Sequence, residues 1–323
     1  MTIGGYFEFE LPVSKTHLYS DAIKFQSARA AFYALLEEGK PNRVWMPNYI
    51  CDSMILPLHS LNIEVKFYDL TIDLDVSESV VLKKSDWLLY VNYFGICSAQ
   101  EIKLLNRFNS NQLVFDHSQG FFTPPSKCLA TIYSPRKFFG VPDGGYLFTD
   151  IQITEPTEVD GQAVYRCEHL LQRLDDNIEF GYDLYKKNEE SFRDVRPFKM
   201  ATLTNNLLSS LNYAEIKNIR NVNFKMLHER LEKINLFKIC IASIDGALCY
   251  PLLIDDSKLK IQLLKKRIFV ATYWEEVQNR AKASSLECFL VKNLIAIPCD
   301  QRYNKIDMEF VVDCIFKIVE KKC

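Results

Sequence analysis

From Gln26 onward the chain alternates short, nearly continuous apolar runs with longer amphipathic ones. Ala30 to Leu36 is apolar almost throughout, with Ser27 before it and Gly39 after it, which are helix start and stop signals. Arg43-Val-Trp-Met-Pro47 reads as a strand broken by proline, followed by a helical stretch from about Asp52 to Leu61, the strand Ile63 to Tyr68 and a loop from Asp69 to Asp75. Trp87 to Tyr93 is a buried strand ending at Phe94-Gly95, and Ala99 to Phe108 is a helix. Leu113 to Asp116 is a short apolar strand stopped by a carboxylate. Leu129 to Tyr133 is another, and Tyr146 to Phe148 is a strand following a turn. Strands alternating with helices predict an α/β domain with a largely parallel sheet. Ligands bind beyond the carboxyl ends of the strands in such sheets, and Tyr90 to Gly95, Asp116 to Gln119 and Ser134 to Lys137 all fall there.

The flanks read differently. Residues 1–20 form an irregular arm in which Tyr6 to Leu11 alternates like a strand. Val159 to Asn188 is polar and helical with loops, and Arg193 to Lys199 is charged and broken by Pro197. A long amphipathic helix runs from near Tyr213 to about Asn235, with Ile216, Ile219, Val222, Met226, Leu231 and Ile234 at helical spacing. Beyond it, strands at Phe237 to Ile241, Leu248 to Leu253 and Asn293 to Ile297 alternate with helices at Lys258 to Arg267 and Asp307 to Glu320. That pattern predicts a small α+β domain over 213–323, joined by the long helix to a large domain over 1–212.

Composition narrows the function without choosing it. The chain has 323 residues, room for two domains, and a net charge of −2. Basic residues form no stripe, so nucleic acid is not indicated as a partner. Ten cysteines lie at least nine residues apart, which excludes a CxxC motif, a zinc knuckle and a compact disulfide framework. Their dispersal suits reduced thiols in a cytoplasm. The first residues carry no signal-peptide pattern, and no apolar run approaches the length of a membrane span. The 22 phenylalanines and 16 tyrosines point to an aromatic-rich core or interface.

Three short segments carry candidate chemistry. Lys137 is followed by Phe138 and Phe139 and by the turn Asp143-Gly144-Gly145. If the rings are buried with the lysine, burial lowers the amine's pKa and makes it a nucleophile able to form a Schiff base; alternatively its stem lies on the rings and its ammonium reaches water. Ser27 and Arg29 open a helix whose unpaired N–H groups suit a phosphate, or Ser27 is an ordinary N-cap. Asp116 and Gln119 follow a strand, where an aspartate also makes an Asx turn and a glutamine is also a solvated loop residue.

In order and spacing, Ser27-Ala28-Arg29, Asp116-x-x-Gln119 and Ser134-Pro-Arg-Lys137 before Asp-Gly-Gly resemble the DegT/DnrJ/EryC1/StrS family of sugar aminotransferases, fold type I enzymes that use pyridoxal 5′-phosphate (PLP). Gly4-Gly5-Tyr6-Phe7, Pro47-Asn-Tyr-Ile-Cys51 and Ile297-Pro298-Cys-Asp-Gln301-Arg302-Tyr303 are similar to its text as well. The resemblance implies a large domain with a mostly parallel mixed sheet between helices and a smaller C-terminal domain. It implies that Lys137 carries PLP as a Schiff base and then shuttles a proton, and that Asp116 keeps the pyridinium nitrogen protonated. Gln119 would bond the ring's phenolic oxygen. The phosphate would be held by the Ala28 and Arg29 N–H groups and by the Ser27 and Ser134 hydroxyls. Tyr49, Tyr93 or Cys51 would supply the residue against the ring. Lys186, Asn188, Arg193 and Arg196 are the candidates for the segment that reaches the phosphate of a partner subunit, since the family's members are homodimers. Arg302 is either a surface arginine or a contact for substrate carboxylate or phosphate, and Tyr93 is a second substrate candidate. The implied reaction moves an amino group from glutamate to a nucleotide-linked keto-sugar in polysaccharide or glycan biosynthesis. The alternatives are a PLP enzyme on a non-sugar substrate and a homologue that has lost catalysis and serves in binding or assembly.

Overall fold

The computed structural model describes residues 3, 5–12, 18–192 and 194–320. The apolar runs of the first half pair into one sheet of β1 (Ile23–Phe25), β2 (Arg43–Pro47), β3 (Glu64–Tyr68), β4 (Asp86–Val91), β5 (Leu113–Asp116), β6 (Ala130–Tyr133) and β7 (Gly145–Thr149), ordered β1-β7-β6-β5-β4-β2-β3. Strands β2 to β6 run parallel, while β7 is antiparallel to both β6 and β1. Every residue of β4 is buried, as a parallel sheet covered on both faces requires. Helices α1 (Ala28–Gly39), α2 (Leu56–Ser60) and α3 (Ser98–Arg107) connect successive strands. The small residues Ala28, Ala30, Ala31 and Ala34 let α1 lie close on the sheet, beside Phe32, Leu35 and Leu36.

After the sheet come α4 (Glu168–Leu174), α5 (Ile178–Ser191), α6 (Thr202–Ser209) and the long α7 (Tyr213–Leu231). A two-stranded antiparallel sheet of β8 (Cys249–Leu253) and β9 (Leu294–Pro298) then forms, with α8 (Leu259–Leu264), α9 (Val277–Arg280), α10 (Leu286–Asn293) and α11 (Lys305–Glu320) around it. Its core joins Phe224, Leu227 and Leu231 of α7 to Tyr250, Leu252, Ile295, Ile297 and the inner face of α11. A third, aromatic cluster contains Phe121, Phe122, Tyr133, Phe138, Phe139, Tyr146 and Tyr213. In it the rings of Phe121 and Phe139 meet edge to face at 4.9 Å.

The mixed, mostly parallel sheet agrees with the sequence pattern, and several details differ. Tyr6 to Leu11 forms no strand: the segment carries no regular structure, and Tyr6 to Glu10 are exposed. Phe237 to Ile241 is not a strand either, because the Asn235 side chain takes the Phe237 N–H at 3.0 Å and the chain turns at Ile241–Ser243. The buried face of α7 is Tyr213, Arg220, Asn223, Phe224, Leu227 and Leu231. Val222 faces solvent, and Ile216, Ile219 and Met226 are half-buried. The stripe is rotated because a buried arginine and asparagine occupy positions that hydropathy assigns to the surface.

Every cysteine among the described residues is free. Among those residues no helix is long and apolar enough to cross a membrane, and no cluster of His, Cys, Asp and Glu could hold a metal ion.

The turn into β7 is pinned to the start of α1. A Cβ added at Gly145 would lie 2.2 Å from the Ser27 carbonyl carbon and 2.5 Å from the Ala28 nitrogen. These are backbone atoms that cannot swing aside. Gly145→Ala is therefore expected to cost roughly 1–3 kcal/mol, read as a lower urea midpoint; an unchanged midpoint would mean that the turn relaxes freely.

Candidate active site

The register of the parallel strands sets Val91 beside Asp116 and Asp116 beside Ile132, so the loops after β4, β5 and β6 leave the sheet at one level. Asp116 is buried, and its Oδ1 accepts the Ser118 N–H at 2.8 Å. That Asx turn brings Gln119 inward, where its Oε1 accepts the Phe94 N–H at 2.8 Å. Its Nε2 is buried with no hydrogen-bond partner. The approach requires glycine at 95, where φ is +76° and a Cβ would stand 2.8 Å from the Gln119 carbonyl oxygen. Tyr49 follows β2 and is fully buried. Its hydroxyl also lacks a partner, and burial pushes its pKa well above the ordinary value. Buried polar atoms without partners are uncommon in folded chains, and here one lies after β2 and another after β5.

At the start of α1, Ser27 is extended and its side chain accepts the Ala30 N–H at 3.1 Å. The serine is thus an N-cap, and Ala28 and Arg29 are the first residues of the helix. Arg29 is half-buried: its guanidinium donates to the Phe192 carbonyl, while Nε has no partner. Burial lowers its pKa. Arg136 lies over the Phe192 ring at 4.2 Å and pairs with Glu189, so both arginines meet the C-terminal end of α5. Ser134 is buried and its carbonyl accepts the Lys137 N–H at 3.3 Å. Cys51 is half-buried, with its thiol 2.9 Å from the Ser53 hydroxyl.

Lys137 itself departs from the buried arrangement. It ends a 3-10 turn, Pro135–Lys137, that directs Phe138 and Phe139 into the aromatic cluster and leaves the lysine exposed. Its ammonium has no hydrogen bond or ion pair among the described residues. The rings are buried as the sequence suggests, but the lysine does not go with them, since the turn points successive side chains in different directions. Tyr93 is fully buried and its hydroxyl donates to the Tyr49 carbonyl at 2.8 Å. Arg302 is engaged by Asp300 through two contacts of 2.7 and 2.8 Å. Lys186 pairs with Asp183, Arg196 with Asp194, and Asn188 bonds the Arg166 carbonyl. Arg193 and Gly4 lie outside the described residues.

Two groups escape a reading of the sequence. One is a buried polar cluster behind Asp116, in which Glu101 accepts from Asn92 Nδ2 at 2.7 Å and lies 2.8 Å from His117 Nε2. The other is Arg220, buried on α7 against Gln301 and the residue after Lys137. Gln301 stands in a phrase that the resemblance picked out, whereas nothing in the helical pattern marks Arg220.

No protein-family model and no curated protein matches the chain. Solved structures do. The sugar aminotransferase CalS13 from Micromonospora echinospora superposes with a TM-score of 0.64 at 14% identity, over 91% of this chain and 86% of that one. The NtdA protein of Bacillus subtilis, with bound cofactor PMP, gives 0.65 at 16% identity over 93% and 73%. DesI, determined in the presence of its TDP-sugar product, gives 0.63 at 17% identity over 91% and 79%. The chain shares their fold, the PLP-dependent transferase fold type I.

Removing the cap isolates what Ser27 does without ligand. Ser27→Ala should lower unfolding free energy by about 1 kcal/mol and Ser27→Gly by only a few tenths, measured by urea titration; equal losses in both would show that the hydroxyl does not cap α1.

Proposed function

We propose that the chain is a PLP-dependent aminotransferase of the DegT/DnrJ/EryC1/StrS kind, moving an amino group from glutamate onto a nucleotide-linked keto-sugar for a surface polysaccharide or related glycan. One observation carries the reading. In a fold type I chain, Asp116, Gln119 with an unpartnered buried amide, and the unpaired amine of Lys137 stand at the ends of the adjacent parallel strands β5 and β6. The donor set suits a phosphorylated pyridine aldehyde. Asp116 offers an anion to a ring nitrogen, Gln119 Nε2 a donor to a ring oxygen, and the start of α1 its N–H groups to a phosphate.

The cofactor supplies an electron sink for charge that develops at the substrate carbon. This chain supplies the rest. Asp116 holds a proton on the ring nitrogen by its negative charge. Gln119 Nε2 would donate to the ring oxygen, and Tyr49 and Cys51 follow the end of β2. The start of α1, with Ser27, Ala28 and Arg29, anchors the phosphate, and the Ser134 hydroxyl joins it. The Lys137 amine would hold the cofactor through its aldehyde and, when free, would carry a proton to and from the substrate carbon. Homodimerisation, a donor segment among Lys186, Asn188 and Arg196, substrate contacts at Tyr93 and Arg302, and the domain division at 212/213 belong to the same proposal. Support for the sugar comes from relatives such as DesI, whose structure was determined with a TDP-sugar product.

The exposure of Lys137 favours one rival, a fold type I scaffold that no longer catalyses and serves in assembly. Colour separates the two. An enzyme reconstituted with PLP is yellow, is fixed at Lys137 by borohydride and bleaches on addition of glutamate; a scaffold stays colourless. Lys137→Ala is expected to abolish transamination while the chain stays folded, and turnover retained in that variant would remove the lysine. Asp116→Asn should keep cofactor bound yet slow proton transfer by on the order of 10²–10³-fold, read by single-turnover absorbance, and a wild-type rate would remove Asp116.

A further inference from the structure

Arg220 is almost fully buried, and among the described residues no carboxylate forms an ion pair with it. Asp300, the carboxylate whose charge acts on it, is engaged by Arg302. A buried charge is costly unless its donors are satisfied, and Arg220 satisfies them on three separate segments. Nη1 donates to the Ala247 and Leu248 carbonyls at 2.9 and 3.3 Å, just ahead of β8. Nε donates to Gln301 Oε1 at 3.0 Å, beyond β9. Nη2 reaches the Phe138 carbonyl at 3.4 Å, and the guanidinium lies 4.6 Å from the Phe138 ring centroid. Gln301, oriented by that first contact, donates its own Nε2 to the same Phe138 carbonyl at 2.9 Å. The peptide that follows Lys137 is therefore held from α7 and from the loop after β9 at once. On its other side the turn is closed by the Phe138 N–H to Pro135 carbonyl bond of 2.9 Å.

We infer that Arg220 and Gln301 are positioning residues for Lys137: neither touches the ligand, and together they fix where the lysine leaves the backbone and so how its amine meets an aldehyde. The inference rests on the cofactor reading above. It adds that the β8–β9 part of the chain controls the amine through a single carbonyl. An engaged carbonyl keeps the turn from rotating, and small misplacement of a reacting group is costly to rate.

Gln301→Glu is the discriminating variant. Its carboxylate still accepts from Arg220, but it has no N–H for the Phe138 carbonyl. Gln301→Leu removes both bonds. Asn235→Ala serves as the control, since Asn235 is buried just past α7 and bonds the Pro251 carbonyl and the Leu253 N–H without contacting Phe138 or the loop that carries Gln301. Two measurements are made on each intact protein: borohydride-fixed mass gain on the Lys137 peptide during incubation with PLP, and amide hydrogen exchange across 134–141 without PLP. Both Gln301 variants should be captured about tenfold more slowly than wild type and should exchange faster in that segment. Asn235→Ala should match wild type in both even where its Tm falls. Capture of Gln301→Glu at the wild-type rate, or an equal slowing in Asn235→Ala, overturns the positioning role. Wild-type protein that gains no mass overturns the cofactor reading instead, and faster exchange confined to the Gln301 variants still identifies the clamp.

Discussion

The hydrogen-bonded register of β4, β5 and β6 is what everything else at the candidate site depends on. Parallel strands in register end together, so a carboxylate that stops β5 stands beside the loop leaving β4 and the turn leaving β6. The backbone continues the pairing one step past the strands, with Asn92 N–H on the Asp116 carbonyl at 2.9 Å and His117 N–H on the Ile132 carbonyl at 2.7 Å. A slip of one residue in β5 would turn Asp116 to the opposite face. The buried Glu101–Asn92–His117 cluster lies directly behind this point, where it braces the loop after β4 against the loop after β5.

Around that level the chain adds pieces from distant sequence. The turn into β7 brings Gly145 onto the start of α1, and α1 brings Ser27 and Arg29. From the other direction, α7 and the loop after β9 reach the peptide beside Lys137 through Arg220 and Gln301. The lysine turn thus sits between two anchors: an aromatic cluster beneath it, into which Phe138 and Phe139 pack, and a polar clamp on the Phe138 carbonyl.

Most of the sheet was legible because its strands are short, apolar and punctuated. Ser27 before an alanine-rich run, Asp116 at the end of Leu-Val-Phe, and Pro47 after a β-prone run each mark a boundary by a local mechanism. Long-range contacts were not legible. Nothing near Arg220 in sequence reveals that its acceptors lie at 138, 247, 248 and 301, so the expected apolar stripe includes the exposed Val222 and omits Arg220 and Asn223. Lys137 shows the same limit in reverse. Its neighbours announce buried rings, but whether the lysine follows them depends on a 3-10 turn whose direction only the folded chain settles. The apparent strands at Tyr6 and Phe237 had suitable composition but join no sheet; at Phe237 the Asn235 side chain takes the backbone N–H.

The distribution of thiols has a practical consequence. Burial lifts the Cys97 and Cys299 thiols to about 12 and raises Cys249 well above its ordinary value, whereas Cys240 is exposed. Because thiolate is the reactive form, an alkylating reagent meets Cys240 on the intact fold and reaches the interior sulfurs only after the chain opens. The protein therefore carries an internal gauge of its own integrity: labelling at Cys97, Cys249 and Cys299 relative to Cys240 reports how often the fold opens around them.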